Sequence, residues 1–152
     1  MRVRDVMRRA VETVPATASA ENAFRLMRTR RIRHLVATKG GEMVGVLSDR
    51  DLAALGSFRQ VHSVEEAMTT PAVTAKPGMT LRQAANLLRG RTIGCLPVVE
   101  GGELVGILTT TDLLELIGRG AERPVAKGKR WVLKSRGPRR KSVLGRRNVA
   151  VG

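Results

Sequence analysis

The sequence predicts an α/β fold of the α+β type, in which two β-α-β-β-α repeats pack as a pseudo-two-fold pair. An offset of 61 residues superposes residues 3–57 on residues 64–118 without a gap. Each copy has a Gly-Gly pair between two apolar runs, which indicates a β-hairpin. Each copy also ends in the motif Gly-x-Leu-Ser/Thr-x-x-Asp-Leu. A repeat of this length is one supersecondary unit that cannot bury its apolar face alone, so we expect the two copies to pack together.

The first half of each copy is predicted to contain a short turn, an extended segment and a helix. Residues 3–8 have the pattern of a short helical turn. The proline in Thr13-Val14-Pro15 keeps the residue before it out of the helical region, which favours an extended segment. Apolar residues at helical spacing then predict a helix from Ser19 to about Arg31.

The second half of each copy is predicted to be a hairpin followed by a helix. Strands are expected at 33–38 and 43–48, and the serine of the closing motif should cap a helix at 49–55. The corresponding elements of the second copy are a helix from Thr80 to about Arg91, strands at 95–99 and 104–109, and a helix at 110–117.

The end of the chain differs from the repeats in composition. We predict one repeat at 1–60, a second at 61–118, and a basic tail containing glycine and proline at 119–152. The tail carries twelve lysines and arginines against one acidic residue, Glu122, and so supplies most of the net charge of +15. It is either a solubilising or partner-docking segment, or the contact of a nucleic-acid- or ribosome-associated protein. The candidate polyanion-binding residues are Lys127, Lys129, Arg130, Trp131, Arg139, Arg140, Lys141, Arg146 and Arg147.

The sequence argues against several classes of protein. One cysteine rules out an intramolecular disulfide, and two histidines leave no cluster with the spacing of zinc ligands. We find no nucleophile-base pair, P-loop or dinucleotide-binding glycine pattern, so we expect no enzyme. The N-terminus lacks an apolar signal core, and no apolar run reaches the length of a membrane span. We therefore expect a cytoplasmic protein with no membrane partner and no metal.

The two copies share one further run of residues, Ile32-Arg33-His34-Leu35-Val36 in the first and Ile93-Gly94-Cys95-Leu96-Pro97-Val98-Val99 in the second. Together with the closing motif, these runs resemble a tandem CBS domain pair, or Bateman module, over residues 3–118. The resemblance implies sheets packed face to face and two related clefts for adenosine-type ligands. It implies a regulatory, stand-alone pair that binds AMP or ATP, requires no cofactor, and acts on an unknown effector protein.

The resemblance also implies which residues bind the nucleotide. Ser48 and Asp51 in the first copy, with their counterparts Thr109 and Asp112, would hold ribose hydroxyls, since a carboxylate accepts two hydrogen bonds from a vicinal diol. The adenine slots would be lined by Thr13, Val14, Thr74, Ala75, Val46 and Ile107. The same Ser/Thr-x-x-Asp pattern is a helix capping box, which accounts for these residues without any ligand, and both roles can coexist.

The two clefts are expected to differ in charge. Arg33, His34 and Arg50 should surround the first cleft, so a phosphate group should prefer it, the more so if His34 is protonated. The counterparts in the second copy are Gly94, Cys95 and Thr111. The arginines could instead be solvated, and His34 could be an ordinary half-buried strand residue. Cys95 is a candidate cleft residue, although its position also fits inert packing inside a strand.

The closing helices carry more apolar side chains than one small core would use. These are Leu52, Leu55, Leu113, Leu114 and Ile117. With the disc-like pairing that the resemblance implies, they predict an isologous homodimer. A purely structural dimer that binds no ligand is a third interpretation of the sequence.

Overall fold

A computed structural model of the protein describes residues 1–56 and 62–119, and it confirms the predicted fold class. The nine candidate polyanion-binding residues of the tail lie outside these residues. In the first copy the elements are β1 (Thr13–Pro15), α1 (Ala20–Arg30), β2 (His34–Lys39), β3 (Glu42–Ser48) and α2 (Asp49–Ala54). In the second copy they are α3 (Val64–Ala67), α4 (Leu81–Arg91), β4 (Cys95–Glu100), β5 (Glu103–Thr109) and α5 (Thr110–Gly118). A 3-10 turn at Val3–Asp5 precedes them.

Each copy forms a small sheet around its hairpin. In the first, β1 pairs in parallel with β2, and β2 pairs antiparallel with β3. In the second, β4 pairs antiparallel with β5, and a parallel bridge from Ala75 to Val98 takes the place of β1. The hairpin turns are the predicted Gly-Gly pairs, and both glycines of each turn have positive φ, which glycine adopts without strain.

The two long helices begin and pack in the same way. Ser19 and Thr80 are the N-caps, and their side chains accept hydrogen bonds from the backbone N–H groups of Asn22 and Gln83. Each helix buries one face against the sheet of its own copy, α1 through Ala20, Ala23 and Met27, and α4 through Ala84 and Leu88. The helical spacing of these residues gave the prediction of both helices.

The sheets of the two copies face each other, as the resemblance implied. A buried cluster of Val36, Cys95 and Ile107 joins strands β2, β4 and β5, and partly buried apolar side chains such as Val46 pack against it. This cluster fixes the two copies in one structure with a shared interior.

The leading segments of the two copies are exchanged. Val3 is buried in the core of the second copy, and its backbone N–H donates to the carbonyl oxygen of Met79 at 2.8 Å. Val64 is buried in the core of the first copy, and its N–H donates to the carbonyl oxygen of Ala18 at 2.8 Å. Each core is therefore completed by a segment from the other sequence repeat. The division at 1–60, 61–118 and 119–152 stays a prediction about the sequence.

Two glycines allow this exchange. A Cβ atom on Gly45 would lie 2.7 Å from the Met68 sulfur and 2.9 Å from the carbonyl oxygen of Thr69. A Cβ atom on Gly106 would lie 2.8 Å from the Met7 sulfur and 2.9 Å from the carbonyl oxygen of Arg8. The glycine of the closing motif is thus the point where the leading segment of the other copy crosses the strand.

The surplus of apolar side chains on the closing helices lies mainly on α5. Leu52 is buried, and Leu55 and Leu113 are half-buried. Leu114 and Ile117 are 63% and 75% exposed. In the ranges 1–56 and 62–119, no helix is long and apolar enough to span a bilayer.

Replacing Gly45 by Ala should destabilise the protein by about 1–3 kcal/mol, because the new methyl group overlaps a backbone carbonyl that cannot move without breaking the crossing. Urea unfolding followed by circular dichroism measures the change. Gly90→Ala is the matched control, since residue 90 is inside α4 and a Cβ atom there meets nothing within 4 Å. It should stabilise the protein by about 0.5–1 kcal/mol. Equal effects of the two substitutions would contradict the close approach at Gly45.

Candidate functional site

A cleft of about 740 Å³ lies between the two copies. Seven of the residues predicted to bind a nucleotide line it, namely Arg33, His34, Val46, Ser48, Arg50, Asp51 and Cys95. The N-terminal turns of α2 and α5 both contribute, through residues 49–51 and 110–111. The structure therefore brings these seven predicted residues together in one cleft.

The other seven predicted residues do not line this cleft. They are Thr13, Val14, Thr74, Ala75, Ile107, Thr109 and Asp112. Val14 and Ala75 are buried in the two cores and do not reach this cleft. The wall expected from Thr74 and Ala75 is made instead by Ala72 and Val73. The physical reason is that the backbone of Ala75 pairs with the second sheet, which carries its side chain into the core.

Several cleft residues were missed because they come from the second copy. Helix α4 contributes Ala85, Leu88 and Arg89, followed by Thr92 just after its end. Their spacing of three and four residues places them on one helix face. That spacing was a usable signal, but the sequence did not show that this face lies opposite Asp51.

Asp51 sits in a capping box at the start of α2. Its Oδ2 atom accepts a hydrogen bond from the backbone N–H of Ser48 at 2.8 Å, and its own N–H donates to Ser48 Oγ at 3.1 Å. The capping interpretation is therefore realised in the structure. Among the described residues, the second carboxylate oxygen, Oδ1, has no hydrogen-bond partner. One face of the carboxylate thus remains available to a ligand.

Asp112 has the same capping box but a different environment. Its Oδ2 atom accepts hydrogen bonds from the N–H and the hydroxyl of Thr109 at 2.8 and 2.7 Å. Its Oδ1 atom accepts a hydrogen bond from Arg8 Nε at 2.7 Å. The Asp112 side chain is 6% exposed. Both of its carboxylate oxygens therefore have protein partners.

His34 lies against the other copy of the repeat. A Cβ atom on Gly94 would lie 2.6 Å from His34 Nε2, so the ring fits only because residue 94 has no side chain. Burial lowers the pKa of His34 below its ordinary value of 6.5, and Arg33 and Arg50 act in the same direction, against Asp49 and Asp51. The sequence left open whether His34 is protonated at the cleft or is an ordinary half-buried strand residue. The structure favours the neutral ring.

Cys95 is a buried residue that lines the cleft. Burial raises the pKa of its thiol to about 12, with a smaller contribution from the negative charge of Asp51. The thiol therefore stays protonated at physiological pH and is a poor nucleophile. This agrees with the expectation of inert packing.

The charged side chains at the cleft are of both signs. Arg33 Nε lies 3.7 Å from Asp49 Oδ2, in an exposed ion pair that stabilises the fold little. Arg50 and Arg89 are also exposed. Three guanidinium groups, two of them from the first copy and one from α4, thus border a cleft with two carboxylates. Among the residues that the structure describes, no three metal-ligating side chains lie together.

Comparisons with known proteins place both copies in one family. The sequence model of the CBS domain matches residues 3–56 and 64–119. The CBS domain-containing protein YhcV of Bacillus subtilis (strain 168) is 34% identical over 115 residues, which are 73% of this chain and 81% of that protein. Homoserine O-acetyltransferases and inosine-5′-monophosphate dehydrogenases also match, but the chain spans 22% to 25% of their length.

Two similar solved structures contain adenosine derivatives. The CBS domain pair of protein MJ0100 was solved in complex with 5′-methylthioadenosine and S-adenosyl-L-methionine. It is 26% identical, with a TM-score of 0.72, over 78% of this chain and 96% of that one. CBSX2 was solved in complex with AMP and is 28% identical, with a TM-score of 0.68, over 76% of this chain and 95% of that one.

Replacing His34 by Gln should make stability less sensitive to acid. The folded protein binds the His34 proton less readily than the unfolded chain, so the free energy of unfolding falls as the pH drops through the ordinary histidine pKa. Urea unfolding at neutral pH and at about pH 5 measures this difference. His62→Gln is the control for loss of a histidine. If both variants lose as much stability in acid as the original protein, His34 does not contribute.

Proposed function

The chain belongs to the CBS domain family, and from this premise we propose that it is a regulatory module that binds an adenine nucleotide in the cleft at Asp51. AMP and ATP are the proposed ligands, and a ligand-dependent change in the two copies would be read by a partner protein. A catalytic role is not part of the proposal, because the matched enzymes contain this domain pair as a minor part of their length.

The observation that carries the proposal is the state of the Asp51 carboxylate. One oxygen caps α2, and the other points to no partner among the described residues. A ribose offers two neighbouring hydroxyl groups, and an ionised carboxylate accepts hydrogen bonds from both with no proton transfer. Ser48 stands beside it in the cleft.

The remaining parts of a nucleotide have matching surroundings. Val46, Ala72 and Val73 give an apolar wall that suits the flat face of an adenine ring. Arg33, Arg50 and Arg89 offer cations to a phosphate, and guanidinium groups bind phosphate oxygens in pairs. The complexes of MJ0100 and CBSX2 with adenosine derivatives support the same class of ligand.

A ligand in this cleft would contact both copies of the repeat. Asp51 belongs to the first copy and Arg89 to the second, so a bound nucleotide would favour the arrangement in which both sides reach it. This is how binding would alter the surface seen by an effector. We place the protein in the cytoplasm, and we propose an isologous homodimer through the exposed Leu114 and Ile117 of α5.

Replacing Asp51 by Asn tests the ribose contact while keeping an oxygen that can cap α2. The variant should bind AMP roughly ten- to a hundredfold more weakly, because a charge-assisted hydrogen bond is lost. Calorimetry with AMP and 2′-deoxy-AMP should show that the original protein prefers AMP and that Asp51→Asn has lost most of this preference. Asp49→Asn is the control, since it removes the other carboxylate at the cleft and should keep the preference. An unchanged preference in Asp51→Asn would contradict the assignment.

The basic tail supports a second candidate function, binding to nucleic acid. Its twelve cations against one acidic residue favour a polyanion over a neutral partner. Deleting residues 119–152 should abolish most salt-sensitive binding to a single-stranded oligonucleotide, measured by fluorescence anisotropy at two salt concentrations. AMP affinity should stay within about twofold, because all the residues proposed to bind AMP lie between positions 33 and 89. If the truncated protein still binds the oligonucleotide as well as the full chain does, the tail is not the nucleic-acid-binding segment.

A further inference from the structure

The exchanged leading segments put different side chains next to the two capping-box carboxylates. Thr69 pairs with Val46 through two backbone hydrogen bonds, of 2.8 and 3.1 Å, beside the cleft at Asp51. Arg8, 61 residues earlier, pairs with Ile107 through two backbone hydrogen bonds of 2.9 Å. The two leading segments therefore make the same backbone hydrogen bonds, but the equivalent side chains differ, since Thr69 corresponds to Arg8.

This difference decides whether the carboxylate is available. Arg8 Nε lies 2.7 Å from Asp112 Oδ1, and the other oxygen of Asp112 is occupied by Thr109. The Asp112 side chain is 6% exposed, while that of Arg8 is 51% exposed. The guanidinium thus covers the carboxylate from the solvent side.

We propose that Arg8 blocks the second, pseudo-symmetric nucleotide site, so that each chain carries one working site, at Asp51. The inference rests on the proposed function and extends it. The Nε–H group of Arg8 makes the contact with Asp112 that a ribose hydroxyl would make, and a ligand must break a charge-assisted hydrogen bond before it can bind. A ligand at Asp51 displaces no described donor. This differs from the expectation drawn from the sequence, in which Thr109 and Asp112 would also hold ribose hydroxyls.

The same contact makes Arg8 an internal competitor for the site. Its backbone is fixed to Ile107, but half of its side chain is exposed, so the guanidinium can turn into solvent without releasing the leading segment. A ligand that occupies Asp112 must then displace this ion pair. Removing the side chain should open the site while the strand crossing stays in place.

Isothermal calorimetry with AMP tests this on the full chain. The original protein should bind one AMP per chain. Arg8→Thr, which copies Thr69, should gain a second binding event at least about tenfold tighter than any second event in the original protein. Adding Asp112→Asn to Arg8→Thr should remove that event. Arg9→Thr is the matched control, because it makes the same change one residue away and its counterpart is also a threonine, Thr70. It should keep one AMP per chain.

Several results would overturn the proposal. Two AMP molecules per original chain, or a single one in folded Arg8→Thr, would show that Arg8 does not block a site, and the site at Asp51 would stand. Loss of an existing site in Arg8→Thr would make Arg8 a ligand-binding residue. No AMP binding by any variant would overturn this proposal and the proposed function together. If Arg8→Thr does not fold, Arg8→Gln takes its place, since it keeps a neutral donor and should still gain the second event.

Discussion

The close crossing of the leading segments over Gly45 and Gly106 is the constraint on which the rest of the structure depends. At both crossings a single Cβ atom would overlap a backbone carbonyl and a methionine sulfur. Because the crossing is possible, Val3 and Val64 each complete the core of the other copy. The cleft is then lined by residues from both copies.

The two capping-box carboxylates of the duplicated sequence have different surroundings. Both closing helices keep a capping box, because an uncapped helix end leaves backbone groups without partners in either copy. Capping places no constraint on the leading segments, so their residues can differ between the two copies. One substitution, threonine against arginine, leaves Asp51 open and covers Asp112. The stability of the fold and the availability of the site are thus set by different residues.

The order of the elements could be predicted from the sequence, because the hairpin glycines, the caps and the apolar spacing are all local signals. The exchange of the leading segments could not be predicted, because an internal repeat shows which segments are alike but does not show which copy each segment packs against. For the same reason Ala72, Val73 and Arg89 were missed as cleft residues. The protonation state of His34 could not be predicted either, because its pKa depends mainly on how deeply the folded protein buries the ring.

The exchange also determines the order in which the chain can become structured during synthesis. The first core can close soon after Val64 is made, because its partners precede it. The N-terminal segment has to wait, since Arg8 contacts Asp112, 104 residues further along the chain. Contacts of such sequence separation form late and slowly. Residues 3–8 are therefore made before the second repeat but are held in place only after it, and the second core stays incomplete until they pack against it.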